Sequence, residues 1–388
     1  MVLSLFTGAG GLDLGLETAG CSIIGSVESD PIARDSLLKN RPGWPHLALH
    51  DVHLASRLRP KDLGLAVGDL DILAGAPPCQ PFSTAAQWAA NGRKGMNDSR
   101  ADTISAMFDI VENFLPKVVF IENVAGFTLG RDAALPQIER RLQLINERNH
   151  TRYRISWTVV DSVVYGIPQH RRRALLIISR KGLGFGFPPE THADNPITAW
   201  DAIGEIDPGP LHELRGRWAE LLPSIPEGSN YQWLTAQGGG NELFGYRTRY
   251  WSFLLKLAKD RPSWTIPASP GPSTGPFHWD NRPLSVVELL RLQSFPLDWR
   301  LAGNHRDQIR LVGNATPPLL SEIIGREILN TLLGRRAEAG AARLTIARSA
   351  QLAPPALPAR ELPPQFQSLV GPKPPHAGAG NGPAARKS

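Results

Sequence analysis

Cys79 stands in the run APPCQPFS (Ala76–Ser83), Glu122 closes an apolar run in VVFIENV, and QHRRR spans Gln169–Arg173. These residue types can do one kind of chemistry together. A thiolate at a strand end, beside backbone amides and arginines, has a lowered pKa and attacks electrophilic carbon. Pro77 and Pro78 stiffen its approach. Glu122 directly follows four apolar residues, a setting that buries a carboxyl and suits it to general acid work. Arginines at a strand edge facing that carboxylate could pair with it and fork onto a base or a phosphate. Taken singly, each residue has a plainer explanation: an inert cysteine, a surface glutamate, a solvated charge cluster.

The elements that must position these groups come from the pattern of short apolar runs. Val2–Phe6, Ile23–Glu28, Asp71–Ala76, Val118–Glu122, Trp157–Val164 and Ala174–Ser179 read as strands, and Leu12–Thr18, Pro31–Lys39 and Ala101–Phe114 as helices. The alternation predicts a mostly parallel, doubly wound α/β sheet over residues 1–182. Ligands of such sheets bind outside the carboxyl ends of the strands. There the first strand ends in FTGAGG (Phe6–Gly11), the second in Glu28, and a further short strand in Asp51, before APPCQPFS and ENV. The glycine turn lets a ligand approach backbone amides, and Glu28 suits a ribose hydroxyl pair.

Residues 183–304 are rich in Pro, Gly and aromatics without clear period, and seven of the ten Trp lie between Trp200 and Trp299. They read as a second, irregular domain. Helical spacing returns from Leu319 to Leu332, with Thr316 as the expected cap, Pro317 in the first turn, and the helix packing back on the first domain. Residues 334–388 carry eight Arg/Lys against two acids, which is the whole net charge of +6. Residues 1–333 are therefore neutral overall. With one aromatic, Phe366, this Pro/Ala-rich tail is expected to be disordered and to add only unspecific attraction to phosphates.

Composition excludes several classes. No apolar run approaches a membrane span, and the start MVLSLFTGAGG lacks the basic flank of a secretory signal, so the chain should stay in the cytoplasm. Two cysteines, Cys21 and Cys79, cannot build a disulfide framework or a Cys-rich zinc site, and no metal is expected.

In this order, FTGAGG, Glu28, Asp51, PPCQPFS, ENV, QHRRR, RPLSVVELLRLQSFP (Arg282–Pro296) and GNATPP (Gly313–Pro318) resemble the DNA (cytosine-5) methyltransferase family, from residue 1 to about 333. The scale of the chain is most like that of a prokaryotic type II restriction-modification methylase. The resemblance implies a Rossmann-like S-adenosylmethionine-dependent methyltransferase sheet, formed by 1–182 with 305–333, and a smaller target-recognition domain, 183–304. It implies a monomer acting on a specific double-stranded DNA sequence, with the cytosine flipped out of the duplex. Cys79 would be the nucleophile that adds to carbon 6 of cytosine, and Glu122 would bond ring nitrogen 3. Arg171 and Arg173 would hold Glu122 and the cytosine oxygen. Phe6 would stack on the adenine of the cofactor, Glu28 would bind its ribose, and Asp51 would meet its amino group. Gly8, Gly10, Gly11 and Pro78 would line the cofactor, with Asn314 near cofactor and base. Gly92–Arg100 looks like the family's loop that closes over the flipped base. Thr316 departs from the apolar residue that many relatives carry.

Three other functions compete. A cytosine-5 RNA methyltransferase shares these motifs, although an irregular domain of this size suits groove reading better. A non-catalytic DNA-binding regulator would need to have lost Cys79 or Glu122, and both are present. A nicotinamide oxidoreductase would explain FTGAGG but neither PPCQPFS nor QHRRR. Among the basic residues of 183–281, Arg215, Arg217, Arg247, Arg249, Lys256 and Arg261 are candidates for reading base edges.

Overall fold

The structure is a computed structural model that describes residues 1–78, 102–130, 133–247 and 250–373. Cys79, Gly92–Arg100, Arg249 and residues 374–388 therefore lie outside the described residues. In chain order the first lobe comprises β1 (Val2–Leu5), α1 (Gly11–Thr18), β2 (Ile23–Val27), α2 (Pro31–Asn40) and α3 (Val52–Ala55). It continues with β3 (Ile72–Gly75), α4 (Asp102–Phe114), β4 (Val118–Val124), α5 (Leu135–Asn149), β5 (Arg154–Asp161) and β6 (Arg172–Ser179). The strands form one sheet in the order β2-β1-β3-β4-β6-β5. β2, β1, β3 and β4 pair in parallel, while β6 runs antiparallel to both β4 and β5. The doubly wound, mostly parallel sheet expected from the sequence is present.

Alternate strand residues face opposite sides, and helices cover both. Val2, Ile72, Val118, Phe120 and Leu175 join one core, and Leu3, Leu5, Leu73, Val119, Ile121 and Leu176 join the other. α4 and α5 close the second core through Met107, Phe108, Ile138 and Leu142. The reversal of β6 matters for the site. Its first residues reach the same sheet edge as the carboxyl ends of its neighbours, with Val124 opposite Arg173 in register.

Then follow α6 (Ala199–Ile203), α7 (Val286–Leu292), α8 (His305–Asn314), α9 (Pro318–Thr331) and α10 (Pro364–Gln367). α9 packs on α1, where Leu12 and Leu16 share a core with Leu320, Ile324 and Ile328. The cap differs from expectation. Pro317 is the N-cap and Pro318 the first helical residue, while Thr316 lies buried one position earlier. β5 also starts three residues before the expected strand and stops at Asp161, because Ser162–Tyr165 turns into a 3₁₀ helix. Asp51 does not end a strand. Its carboxylate accepts the His53 amide and caps α3, and only a single bridge, Ser26 to His46, extends the sheet nearby.

Residues 183–304 are as irregular as expected, but their packing divides. Leu221, Leu222, Ile225, Tyr231, Leu234, Leu254 and Phe277 form a small separate core, whereas Leu284–Leu301 pack with the first lobe. The tail departs most from its sequence reading. Residues 335–373 are a strap, not a disordered tail. Arg335 pairs with buried Asp71, the amides of Arg343 and Leu344 bond buried Glu322, and Ile346 enters the first core. Farther on, Leu362 and Phe366 complete the core of the second lobe. Ile346, Leu362 and Phe366 each fill a socket on the folded body, while Leu352 and Leu357 stay exposed, so the ordering of the strap does not require a core of its own.

Candidate active site

At the shared sheet edge lies a cavity of about 280 Å³, walled by β1, β2, β3, β4 and β6 ends and by the last turn of α8. Phe6, Gly8, Glu28, Pro78, Glu122, Arg171, Arg173 and Asn314 all line it. Eight residues spread over most of the chain thus meet in one place, as the sheet order requires. Pro78 brings the described chain to the residue before Cys79.

Glu122 is 4% exposed, and the Nε of Arg173 lies 2.9 Å from its Oε1. This pair leaves the carboxyl aimed into the cavity beside a guanidinium that can also meet a substrate oxygen. Arg171 also ties the wall of the cavity together. One of its terminal nitrogens donates to the carbonyls of Gly313 and Ala315 at 3.0 and 2.8 Å, so it ties β6 to the end of α8 on both sides of Asn314. The turn before β6 is set by Asp161, which accepts the Arg171 amide and sits 2.9 Å from His170 Nδ1. Burial works against charge on Asp161, yet these hydrogen bonds hold its carboxyl below the ordinary range.

On the other side, Phe6 leaves β1 with φ +56 and turns its ring to the cavity wall. Glu28 accepts the amides of Gly8 at 2.7 Å and Asp30 at 2.8 Å, which fixes both carboxylate oxygens beside the glycine turn. Burial lifts the Glu28 carboxyl above its ordinary value, and the two amides oppose that rise. A Cβ on Gly8 would meet no atom nearer than 3.9 Å, and its φ of +55 is one that glycine adopts freely. The wall therefore offers an apolar ring, a fixed acceptor pair and open backbone, a donor and acceptor set that fits an adenosine group.

Gly10, Gly11 and Asp51 do not line the cavity. A side chain on Gly10 would press on Leu37 and Trp299, and a Cβ on Gly11 would stand 2.0 Å from the Thr316 carbonyl. Both glycines are required by close packing of α1 against its neighbours. Two further residues were not found from the sequence. Asn123, buried at 2% exposure, donates to the Pro77 carbonyl at 3.0 Å and so holds the loop that leads to Cys79. Arg310 pairs with Asp30 at 2.6 Å across the cavity, linking α8 to α2. The signal for Asn123 was its place in ENV; Arg310 precedes Asn314 by one helical turn, which places both on one face.

Fold and site together define a Rossmann-like methyltransferase. An Escherichia coli prophage-encoded chain described as a DNA modification methyltransferase shares the fold, with a TM-score of 0.61 and 23% identity over 86% of this chain and 99% of that one. The chain belongs to the C-5 cytosine-specific DNA methylase family, whose profile matches residues 1–330. It is 32% identical to the type II methyltransferase M.SacI of Streptomyces achromogenes, over 85% of this chain and 93% of that protein. M.Eco47II of Escherichia coli is 31% identical over 85% and 79% of the two chains. The protein is thus a cytosine-5 DNA methyltransferase of the type II restriction-modification kind, acting on DNA. Among the described residues no helix is long and apolar enough to cross a membrane, and no cluster of metal-binding side chains occurs.

Proposed function

We propose that this methyltransferase modifies cytosine through a covalent Cys79 adduct on a base flipped out of a specific duplex sequence, with S-adenosylmethionine as donor. The observation that carries the reading is that Pro78, Glu122 and Arg173 share one cavity wall with Phe6 and Glu28. Acid, guanidinium and the approach to the thiol thus face an adenosine-fitting wall. The other cysteine is a poor candidate for the nucleophile, because Cys21 lies just before β2, at the opposite end of the strand, and burial pushes its thiol up.

Carbon 5 of cytosine is a poor nucleophile until a thiolate adds at carbon 6, which converts the ring to an enamine. Glu122, oriented by Arg173, neutralises charge that develops at nitrogen 3. Bound against Phe6 and Glu28, S-adenosylmethionine supplies an electrophilic methyl group on sulfur. Carbon 5 would then take the methyl as its bond to sulfur breaks and the sulfur departs as a neutral thioether; loss of the carbon 5 hydrogen to a base expels the Cys79 thiolate from carbon 6. Arg171 keeps Asn314 and the end of α8 against this cleft.

Bisulfite sequencing of DNA from cells that express the protein tests the proposal, because it gives base and site together. One sequence should be methylated at cytosine in every copy, and Cys79→Ala should erase the signal. Methylation that persists in Cys79→Ala would contradict the covalent route.

A further inference from the structure

The six basic candidates of the second lobe do not have equal surroundings. Lys256 is buried and donates to the Ile225 carbonyl, so it does not reach outward for a base, and the exposed Arg261 side chain pairs with its neighbour Asp260 and, among the described residues, rests on no ring. Arg217 and Arg247 are placed otherwise. The Arg217 guanidinium lies 4.6 Å from the centre of the Trp218 ring, and that of Arg247 lies 5.2 Å from the Tyr250 ring. Trp218 is itself fixed, edge-on to Phe244 at 5.1 Å and stacked on Phe366 of the strap at 5.8 Å. The Arg217 guanidinium thus rests on a ring that is already fixed, which lowers the entropy lost on making a forked hydrogen bond, and Arg247 is anchored at its backbone, whose amide donates to the Tyr231 hydroxyl at 2.9 Å.

Arg217, Trp218 and Tyr250 line one open cavity of about 430 Å³, with Ser252, Ser273 and Thr274 adding hydroxyls. Arg247 stacks on the Tyr250 ring at its edge. This cavity is joined to the active site by rings. Trp251, next to Tyr250, meets Trp264 edge-on at 4.2 Å, and Trp264 lies 5.5 Å from His170, the neighbour of Arg171. The segment carrying Trp264 is fixed to the mouth of the cleft by the His170 amide on the Ser263 carbonyl at 2.8 Å. A duplex with one base in the cleft would carry its next few base pairs along this row.

We propose that Arg217 and Arg247 are the specificity-determining residues of this methyltransferase, each forking onto the O6 and N7 of a guanine in the recognised duplex. The assignment rests on the proposed action on a specific duplex sequence. An arginine fork is the side chain that matches those two acceptors on the major-groove edge of guanine. The serine and threonine hydroxyls of the cavity are suited to the flanking backbone.

The experiment uses the full chain. Bisulfite sequencing first gives the wild-type site; absence of any methylated duplex would defeat the function proposed above, not this assignment. Synthetic duplexes then carry 7-deazaguanine, which lacks N7, at each guanine of the site in turn. Wild-type kcat/KM should fall about 5- to 150-fold at one position for each arginine. Arg217→Ala should show the same fall with ordinary guanine and no further fall with 7-deazaguanine at its position, and Arg247→Ala likewise at the other. Arg217→Lys and Arg247→Lys keep a charged donor and should recover part of the lost discrimination, whereas a misfolded variant would lose turnover on every duplex alike, which separates lost readout from misfolding. The assignment is overturned if the variants lose affinity equally for all duplexes with a shallower salt dependence, the mark of phosphate contact. It is equally overturned if their methylated site is unchanged and 7-deazaguanine is tolerated throughout.

Discussion

The two lobes hold their working residues by different means. In the first, every cavity residue on the sheet side sits in a strand or within a few positions of its end. Phe6 follows β1, Glu28 follows β2, Pro78 follows β3, Glu122 lies in β4 and Arg173 in β6. Backbone ladders set these positions to within a residue, and neighbouring strands cannot slip without turning every side chain over. In the second lobe Arg217 and Arg247 have no ladder beneath them. Ring contacts, single bridges such as Phe253 to Thr274, and the strap residue Phe366 hold the chain there. Under the proposed roles, reaction chemistry rests on a rigid frame, and recognition on a surface whose side chains can change without disturbing that frame.

Substitutions can break this contrast in order of expected effect. Glu122→Gln keeps the shape of the first-lobe cavity but removes the titrating carboxyl, so turnover should fall about 10²- to 10⁴-fold while the methylated sequence stays the same. A shifted sequence preference in single-turnover assays would show that catalysis and recognition are not separable. Asn123→Ala frees the Pro77 carbonyl and loosens the approach to Cys79. Its kcat should drop about 10- to 100-fold with little change in cofactor affinity, as expected for a small displacement of a reacting group. An unchanged kcat would mean that other contacts fix the loop.

Phe366→Ala tests the strap. Phe366 is 6% exposed against Trp218, and truncating such a ring costs about 3 kcal/mol. Urea denaturation should show the loss, and cofactor binding to the first lobe should remain intact under native conditions. Wild-type stability in the variant would return the strap to the unstructured tail expected from composition. A subtler effect concerns Asp13, in the first turn of α1 and wholly buried, whose carboxyl is pushed up to about 7 by desolvation. The native state then holds this proton more tightly than the unfolded chain, so stability declines as pH rises from about 4 to about 7. Asp13→Asn removes that dependence, and its Tm relative to wild type should improve between about pH 5 and pH 8. A parallel pair of Tm curves would place the titrating group elsewhere.

The same contrast explains what the sequence disclosed. Strand-end motifs were legible because parallel ladders and the ligand-binding edge fix where FTGAGG, Glu28 and ENV must lie. Gly10 and Gly11 looked like cofactor contacts because a glycine turn is read locally, whereas Leu37, Trp299 and Thr316 that crowd them come from distant parts of the chain. Asp51 was read as a strand end, yet its own side chain favours a helix cap, a local competition that periodicity does not reveal. The strap escaped notice for a related reason. Ile346, Leu362 and Phe366 are too sparse to form a periodic pattern, and only the folded body supplies their partners. Arg217 and Arg247 were two among six basic residues until their rings set them apart.

The central claim is that the thiol next to Pro78 is joined to the target base during turnover, and a duplex with 5-fluorocytosine at the methylated position tests it most directly. Fluorinated carbon 5 accepts the methyl group but has no hydrogen to release, so the adduct cannot be eliminated. Wild-type protein should remain covalently attached only when S-adenosylmethionine is present, and peptide mapping should find the modified base on Cys79. An adduct on Cys21, or methyl transfer without any trapped complex, would contradict the account.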